Sequence, residues 1–269
     1  MQSLGPAAMP ALCCAHQALQ SPPRPAKTGR VSKNSKGSPS LERARIGKDV
    51  AARLEANPDV RRAKVDLAQV YTYPGFLGDA DCDMLIALID SNARPSTLLA
   101  ATEDPEYRTS HSSDLYRWSP DVQSIDDRIA ELLGIPSEHA ETMQGQRYAP
   151  NQQFRAHCDY FHEDSAYWDK MLETGGQRTW TAMAFLNDVE EGGATWFPRA
   201  GIRFKPKRGL LLIWNNMLAD GSPNYDTLHE GMRVVEGTKY IITKWFRESA
   251  WIKAPIQTYR SGVVDADAS

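Results

Sequence analysis

Apolar positions along the chain change period once, near residue 137. Before it they recur at helical spacing. Ile46, Val50 and Leu54 stand four apart, which predicts a short helix stopped near Pro58. Residues 69–74 read as a strand closed by Pro74 and Gly75, and Asp79 then opens a helix carrying Leu85, Ile86, Leu88 and Ile89. A further helix has Ser119 as its cap, Pro120 in its first position and Gly134 at its end. Its apolar set is Val122, Ile125, Ile129, Leu132 and Leu133. Past Ser137 short β-rich runs follow one another over residues 143–148, 179–186, 194–197, 209–214 and 234–245. Glycine-bearing turns at 175–176, 192–193, 221–223 and 237 separate them. Such a series argues for a sandwich or jelly roll. The helices precede the strands, so the expected class is α+β with helices packed outside a β core.

Composition adds an asymmetry. The 269 residues carry a net charge of −3, yet residues 1–45 hold seven basic residues and one acid, a net of +6. The other 224 residues therefore carry −9, and all 24 aromatics lie at or beyond Tyr71. A segment without aromatics or apolar period cannot offset its ordering entropy, so residues 1–45 read as a disordered basic tail. Its Arg and Ser content, with no acid before Glu42, fits an organellar transit peptide; a solvated extension fits as well. No apolar stretch reaches about 18 residues, so no membrane span is expected. Cys13, Cys14, Cys82 and Cys158 form neither a disulfide framework nor a CxxC pair, which points to a reducing, cytoplasmic setting.

The sharpest chemistry is His157-Cys158-Asp159, followed 70 residues later by His229. On a strand, residues i and i+2 point to one side, so an imidazole and a carboxylate can share a cation. A second histidine from a distant strand completes two His and one carboxylate, the facial set of non-heme Fe(II) oxygenases with open positions. Those positions suit a 2-oxo acid and dioxygen. Taken alone, the tripeptide is a weak signal, and a structural His–Asp hydrogen bond is its common explanation. Lys239 lies ten residues after His229 among Val234, Val235, Tyr240, Ile241 and Ile242. It is either a surface lysine or a buried one, and a buried charge needs a partner. The far carboxylate of a dicarboxylic co-substrate would supply it. Glu141, seven residues before Tyr148, faces either the cleft or solvent.

Three ordered blocks carry a resemblance. The first is Arg147-Tyr-Ala-Pro-Asn-Gln-Gln-Phe-Arg-Ala-His157-Cys-Asp-Tyr-Phe-His162. The second runs from Gly175-Gly-Gln-Arg-Thr-Trp to Glu190-Glu-Gly-Gly-Ala-Thr-Trp-Phe-Pro198. The third is His229-Glu-Gly-Met-Arg-Val-Val-Glu-Gly-Thr-Lys239, ending in Lys244-Trp245. Tyr107-Arg108-Thr109-Ser110 stands where an Arg-Thr-Ser run is common. From about Val70 to Glu248 the chain resembles the 2-oxoglutarate- and Fe(II)-dependent dioxygenases of the prolyl 4-hydroxylase-like branch. The resemblance implies a double-stranded β-helix, a jelly-roll or cupin-like core, with helices on one side. It implies iron held by His157, Asp159 and His229. It implies that Lys239, with the Tyr148 and Thr195 hydroxyls, binds 2-oxoglutarate, and that Arg178 and Trp245 lie near the substrate mouth. The implied reaction hydroxylates an unactivated C–H, that of peptidyl proline at C4, with O2 consumed and succinate and CO2 released; L-ascorbate is the implied reductant.

The expected organisation is then the tail over 1–45, a helical support region with an N-terminal strand over 46–140, the catalytic β-helix over 141–250 and an extension over 251–269. The chain departs from the branch at Asn151-Gln-Gln-Phe154, where many members end in Tyr, so phenyl replaces phenol. It has Arg247 where some relatives carry His. These departures spare the iron ligands and bear on the prime substrate. A free amino acid or other small molecule is the alternative substrate class, its lid drawn from residues 95–113 and 162–175. A non-catalytic β-barrel module would tolerate loss of a ligand or of Lys239, and none is lost. A nucleic-acid substrate calls for a basic groove, against the −9 outside the tail. His162 is expected outside the ligand set, and His16, His111 and His139 are expected to be ordinary.

Overall fold

The computed structural model describes residues 37–98 and 104–251. Residues 1–36 and 252–269, with Cys13, Cys14 and His16, lie outside the described residues, as do positions 99–103 of the expected lid. The elements run α1 (Leu41–Ala56), β1 (Arg61–Arg62), β2 (Val70–Tyr73), α2 (Asp79–Asn92), β3 (Arg94–Pro95), β4 (His111–Asp114) and α3 (Pro120–Leu133). There follow β5 (Gln144–Tyr148), β6 (Phe154–His157), α4 (Trp168–Glu173), β7 (Arg178–Phe185), β8 (Glu191–Gly192) and β9 (Thr195–Phe197). The last are β10 (Ile202–Phe204), β11 (Leu211–Asn215), β12 (His229–Gly231), β13 (Val234–Glu236) and β14 (Lys239–Arg247).

Antiparallel strands build a large sheet in the order β1-β2-β11-β7-β14-β5-β4-β3 and a small one in the order β10-β9-β12-β6. The middle of the large sheet is covered on both faces, and alternation along each strand sorts its side chains. Trp180, Ala182, Ala184, Leu211, Ile213, Ile242 and Phe246 pack with Leu54, Leu85, Ile89, Ile125 and Ile129 of the helices. Their neighbours Met183, Phe185, Leu212, Trp214 and Ile241 face Phe197 and Tyr148. This is the jelly-roll core with helices on one side. Strands buried on both faces read as near-continuous apolar runs, which is why β7, β11 and β14 stand out in the sequence. At Gly145 a Cβ would come within 2.3 Å of the Ile89 side chain, so only glycine lets α2 approach β5 this closely.

Several expectations change in detail. The tail expected to reach residue 45 gives way to helix at Leu41. The Ser40 side chain accepts from the Arg43 N–H, and the buried Arg43 guanidinium pairs with Glu163 at 2.6 Å. A charge that reads as tail in the sequence is thus part of the folded body. Ser119 precedes α3 as expected, but its side chain makes no cap hydrogen bond; Gly134 closes the helix in the left-handed conformation at φ 68°. The run over 234–245 is two strands, broken at Gly237. β1, β3, β4, β6, β10 and β12 carry no periodic signal, and β1 to β4 extend the large sheet from residues upstream of 141.

One buried ionic cluster ties α3 to the sheet. Lys244 Nζ lies 2.5 Å from Asp126 Oδ2, Arg117 Nε lies 3.2 Å from the same oxygen, and all three residues are buried. Burial pulls the Lys244 ammonium down to about 8, with Asp126 opposing it. Asp126→Ala would leave two buried cations unpaired, a loss of about 3–5 kcal/mol. Thermal denaturation should register this as a fall in Tm of roughly 10 °C; a shift within error would show that the cluster does not hold α3 in place.

Candidate metal centre

His157 ends β6 and His229 begins β12, and the two are register partners across this antiparallel pair. Asp159 follows two residues past β6. One ligand atom from each of the three lies within 4.8 Å of the others. Asp159 Oδ1 is 3.8 Å from His157 Nε2 and 3.9 Å from His229 Nε2. The opposite ring nitrogens face main-chain carbonyls: His157 Nδ1 donates to Arg155 O at 2.8 Å and His229 Nδ1 to Thr227 O at 3.0 Å. That tautomer leaves both Nε2 lone pairs aimed inward. Such outer partners orient metal-binding imidazoles.

The carboxylate is oriented in the same way. Thr181 Oγ1 donates to Asp159 Oδ2 at 2.7 Å, and Asn216 Nδ2 donates to that hydroxyl at 2.9 Å. Oδ1 is left for a cation. Burial, followed by His229, lowers the His157 imidazole to about 3, so it is neutral and ready to ligate. Burial alone would raise the Asp159 carboxyl, but His229, His157, Arg178 and the Thr181 hydrogen bond together hold it below its ordinary value. Two imidazoles and one carboxylate form a donor set suited to a divalent first-row metal with open positions.

The three residues line one pocket together with Tyr148, Thr195 and Lys239. Lys239 is 1% exposed and burial lowers its ammonium to about 7. Its Nζ lies 5.0 Å from the Tyr148 ring centre and 5.4 Å from that of Phe185, with no carboxylate at ion-pair distance among the described residues. Val235, expected to help cover it, is 54% exposed; Tyr148 and Phe185 do so instead. At Gly231 an added Cβ would lie 3.8 Å from Lys239 Nζ and 3.7 Å from Phe154 Cβ, so the missing side chain leaves a cradle in front of the ammonium. Tyr148 donates its hydroxyl to Gln146 Oε1 at 2.8 Å, and the buried Thr195 hydroxyl has only Met183 sulfur, at 3.9 Å.

Glu141, Arg178 and Trp245 come together at the edge of this pocket. Glu141 takes Arg178 in a two-pronged pair, both contacts 2.7 Å, and Arg178 lies over the Trp245 ring at 4.1 Å. Arg247 Nε reaches the same carboxylate at 3.1 Å, and the Phe161 ring lies within 5 Å of both guanidiniums. Arg247 spends its other donors on Gly176 O and Thr174 O. His162 lies outside the ligand cluster, its ring 5.6 Å from that of Tyr160, and His139 meets Arg247 O.

Sequence reasoning missed Thr181, Asn216 and Gly231. A hydroxyl inside the otherwise apolar run Trp180–Phe185 was the available sign for Thr181, because a buried polar group needs a partner; Asn216 and Gly231 gave none.

Residues 143–247 match the family described as the 2OG-Fe(II) oxygenase superfamily. Prolyl 4-hydroxylase 2 of Arabidopsis thaliana is 30% identical over 240 residues, covering 79% of this chain and 78% of that one. Prolyl 4-hydroxylase subunit alpha-1 of Rattus norvegicus is 32% identical over 193 residues, 68% of this chain and 35% of its own length. The viral collagen prolyl hydroxylase vCPH of Paramecium Bursaria Chlorella virus-1, solved as its 2OG complex, superposes with a TM-score of 0.53 at 28% identity over 66% of this chain and 95% of that one. With the His-Asp-His cluster and jelly-roll core already in place, these matches make the chain a 2-oxoglutarate- and Fe(II)-dependent dioxygenase of the prolyl 4-hydroxylase family.

Proposed function

We propose that the chain hydroxylates peptidyl proline at C4, converting 2-oxoglutarate and O2 to succinate and CO2 with one oxygen atom going to each of succinate and substrate. His157, Asp159 and His229 are the residues we assign to Fe(II). Lys239, with the Tyr148 and Thr195 hydroxyls, is assigned to 2-oxoglutarate. The observation that carries this reading is the buried Lys239 ammonium, unpaired behind the Gly231 cradle in the pocket of the three ligands. A small dianion able to reach both the ammonium and the metal satisfies a charge that the protein leaves unmatched.

Bound Fe(II) would supply the oxidation of 2-oxoglutarate and of the C–H. The chain's own residues fix position and exclude water. Thr181 and the two main-chain carbonyls orient the ligands, while Phe197 and Trp214 pack about His229 at 5.3 and 4.8 Å. Arg178 and Trp245, held by Glu141, form the wall assigned to the substrate peptide. No side chain needs to act as general acid or base.

The catalytic core is assigned to residues 141–250 and the support to 46–140, which lends its strands to the same sheet. L-Ascorbate is the assigned reductant for iron oxidised without substrate. The −9 over residues 46–269 favours a peptide over a nucleic acid. No helix among the described residues is long and apolar enough to cross a membrane, and the free thiols of Cys82 and Cys158 suit the cytoplasm.

Proline-rich peptides incubated with the chain, Fe(II), 2-oxoglutarate, ascorbate and air are expected to gain one oxygen atom by mass spectrometry, with succinate in equal amount. Peptides with proline replaced by alanine should release none above background. Turnover confined to free amino acids would overturn the peptidyl reading.

A further inference from the structure

We propose that Phe154 is a positioning residue for the metal-binding imidazole of His157, and that Arg108 holds Phe154 in that task; the inference rests on the metal-centre reading above. The Phe154 and His157 rings stack face to face, centres 3.7 Å apart and planes 17° apart. On a regular strand residues three apart point to opposite faces. Here β6 carries one extra residue: His229 faces His157 while Gly231 faces Phe154, so two steps on β12 match three on β6. This is the geometry of a β-bulge, which re-aims a side chain. It brings Phe154 onto the ligand's side of the strand.

The same phenyl lies under the Arg108 guanidinium, 4.7 Å from the ring centre. Arg108 is fixed by Gln144 Oε1 at 2.8 Å, Thr97 O at 3.0 Å and Ser112 Oγ at 3.1 Å. No carboxylate lies at ion-pair distance from it among the described residues, and the phenyl face is the aromatic surface it lies over. Its segment is tied to β6 through Thr109 N to Gln153 O at 3.0 Å and Arg155 N to Tyr107 O at 2.8 Å.

The two ligand imidazoles need different support. His229 is buried and flanked by Phe197 and Trp214. His157 is the outer ligand, its side chain 17% exposed. Its Nδ1 hydrogen bond sets the tautomer but permits the ring to rock about that contact. The flat stack on Phe154 removes this freedom.

The test is anaerobic titration of the full chain with Fe(II) at saturating 2-oxoglutarate, read by the metal-to-ligand charge-transfer band. Phe154→Leu is expected to raise the half-saturating Fe(II) concentration about 10–100-fold, the usual effect of losing an outer partner of a metal ligand. Phe154→Tyr, which keeps the stacked ring, should stay near wild type, and Arg108→Gln should lose about 2–30-fold. His157→Ala is the control. A wild type without the band, or His157→Ala with a full band, defeats the metal-centre reading. A dead His157→Ala beside a folded Phe154→Leu that binds Fe(II) as wild type does defeats the positioning role alone. Should Phe154→Leu fail to fold, Arg108→Gln decides: unchanged Fe(II) affinity overturns the proposal.

Discussion

Asp159→Asn is expected to reduce 2-oxoglutarate-dependent succinate formation to background and to weaken Fe(II) binding about a thousandfold. The variant keeps the volume and an oxygen for the Thr181 hydroxyl, which donates at 2.7 Å, so it removes the charge with little else. That charge is the one negative ligand in the cluster. His157 is lowered to about 3 by burial and the neighbouring His229, so it enters as a neutral donor. A dication held by neutral imidazoles alone loses its counter-charge. At an effective dielectric of about 20, one charge pair about 4 Å apart contributes roughly 4 kcal/mol, about three decades in affinity. The measurement pairs metal content after desalting with succinate release. Near-native iron retention in Asp159→Asn would sink the ligand assignment, and activity with retained iron would sink the role in turnover.

What was legible in the sequence follows from how far each contact reaches. Helix α3 announced itself through Pro120, Gly134 and a helical apolar stripe, all local. Strands β7, β11 and β14, buried at nearly every position, announced themselves through apolar stretches such as Ala182–Phe185, Leu211–Trp214 and Tyr240–Ile242. β6 and β12, which carry the ligands, are short and read as Phe-Arg-Ala-His and His-Glu-Gly. Three or four residues are too few for a period to stand out, whatever their order. The clustering of His157, Asp159 and His229 was legible through residue type and spacing, and the burial of Lys239 through its apolar surroundings. The bulge was not, since it exists only in the register between two strands 70 residues apart. Nor was the fate of Arg247: its guanidinium reaches Thr174 O and Glu141, contacts set by tertiary packing.

Lys239→Met is expected to raise the half-saturating 2-oxoglutarate concentration about 10–150-fold while leaving the fold intact. A charge-assisted hydrogen bond contributes about 1.5–3 kcal/mol, and methionine fills the same buried stem space. The pH profile separates this role from packing. Burial lowers Lys239 to about 7 in the free protein, and a bound carboxylate raises it again. Below about pH 7 the ammonium is already present and the requirement should be flat. Above it, binding must take up a proton, so affinity should fall by up to tenfold per pH unit until the pKa of the complex is reached. In Lys239→Met this slope should vanish. Stability supplies an independent reading. The ammonium is buried at a cost, so without co-substrate the variant should melt at or above the wild-type temperature near pH 7. Saturating 2-oxoglutarate, at about 100 times its Kd, should stabilise the wild type by about 2.7 kcal/mol and the variant far less. A variant that keeps both the steep pH dependence and the full ligand-induced rise in Tm would remove Lys239 from the co-substrate site, and with it the observation on which the proposed function rests.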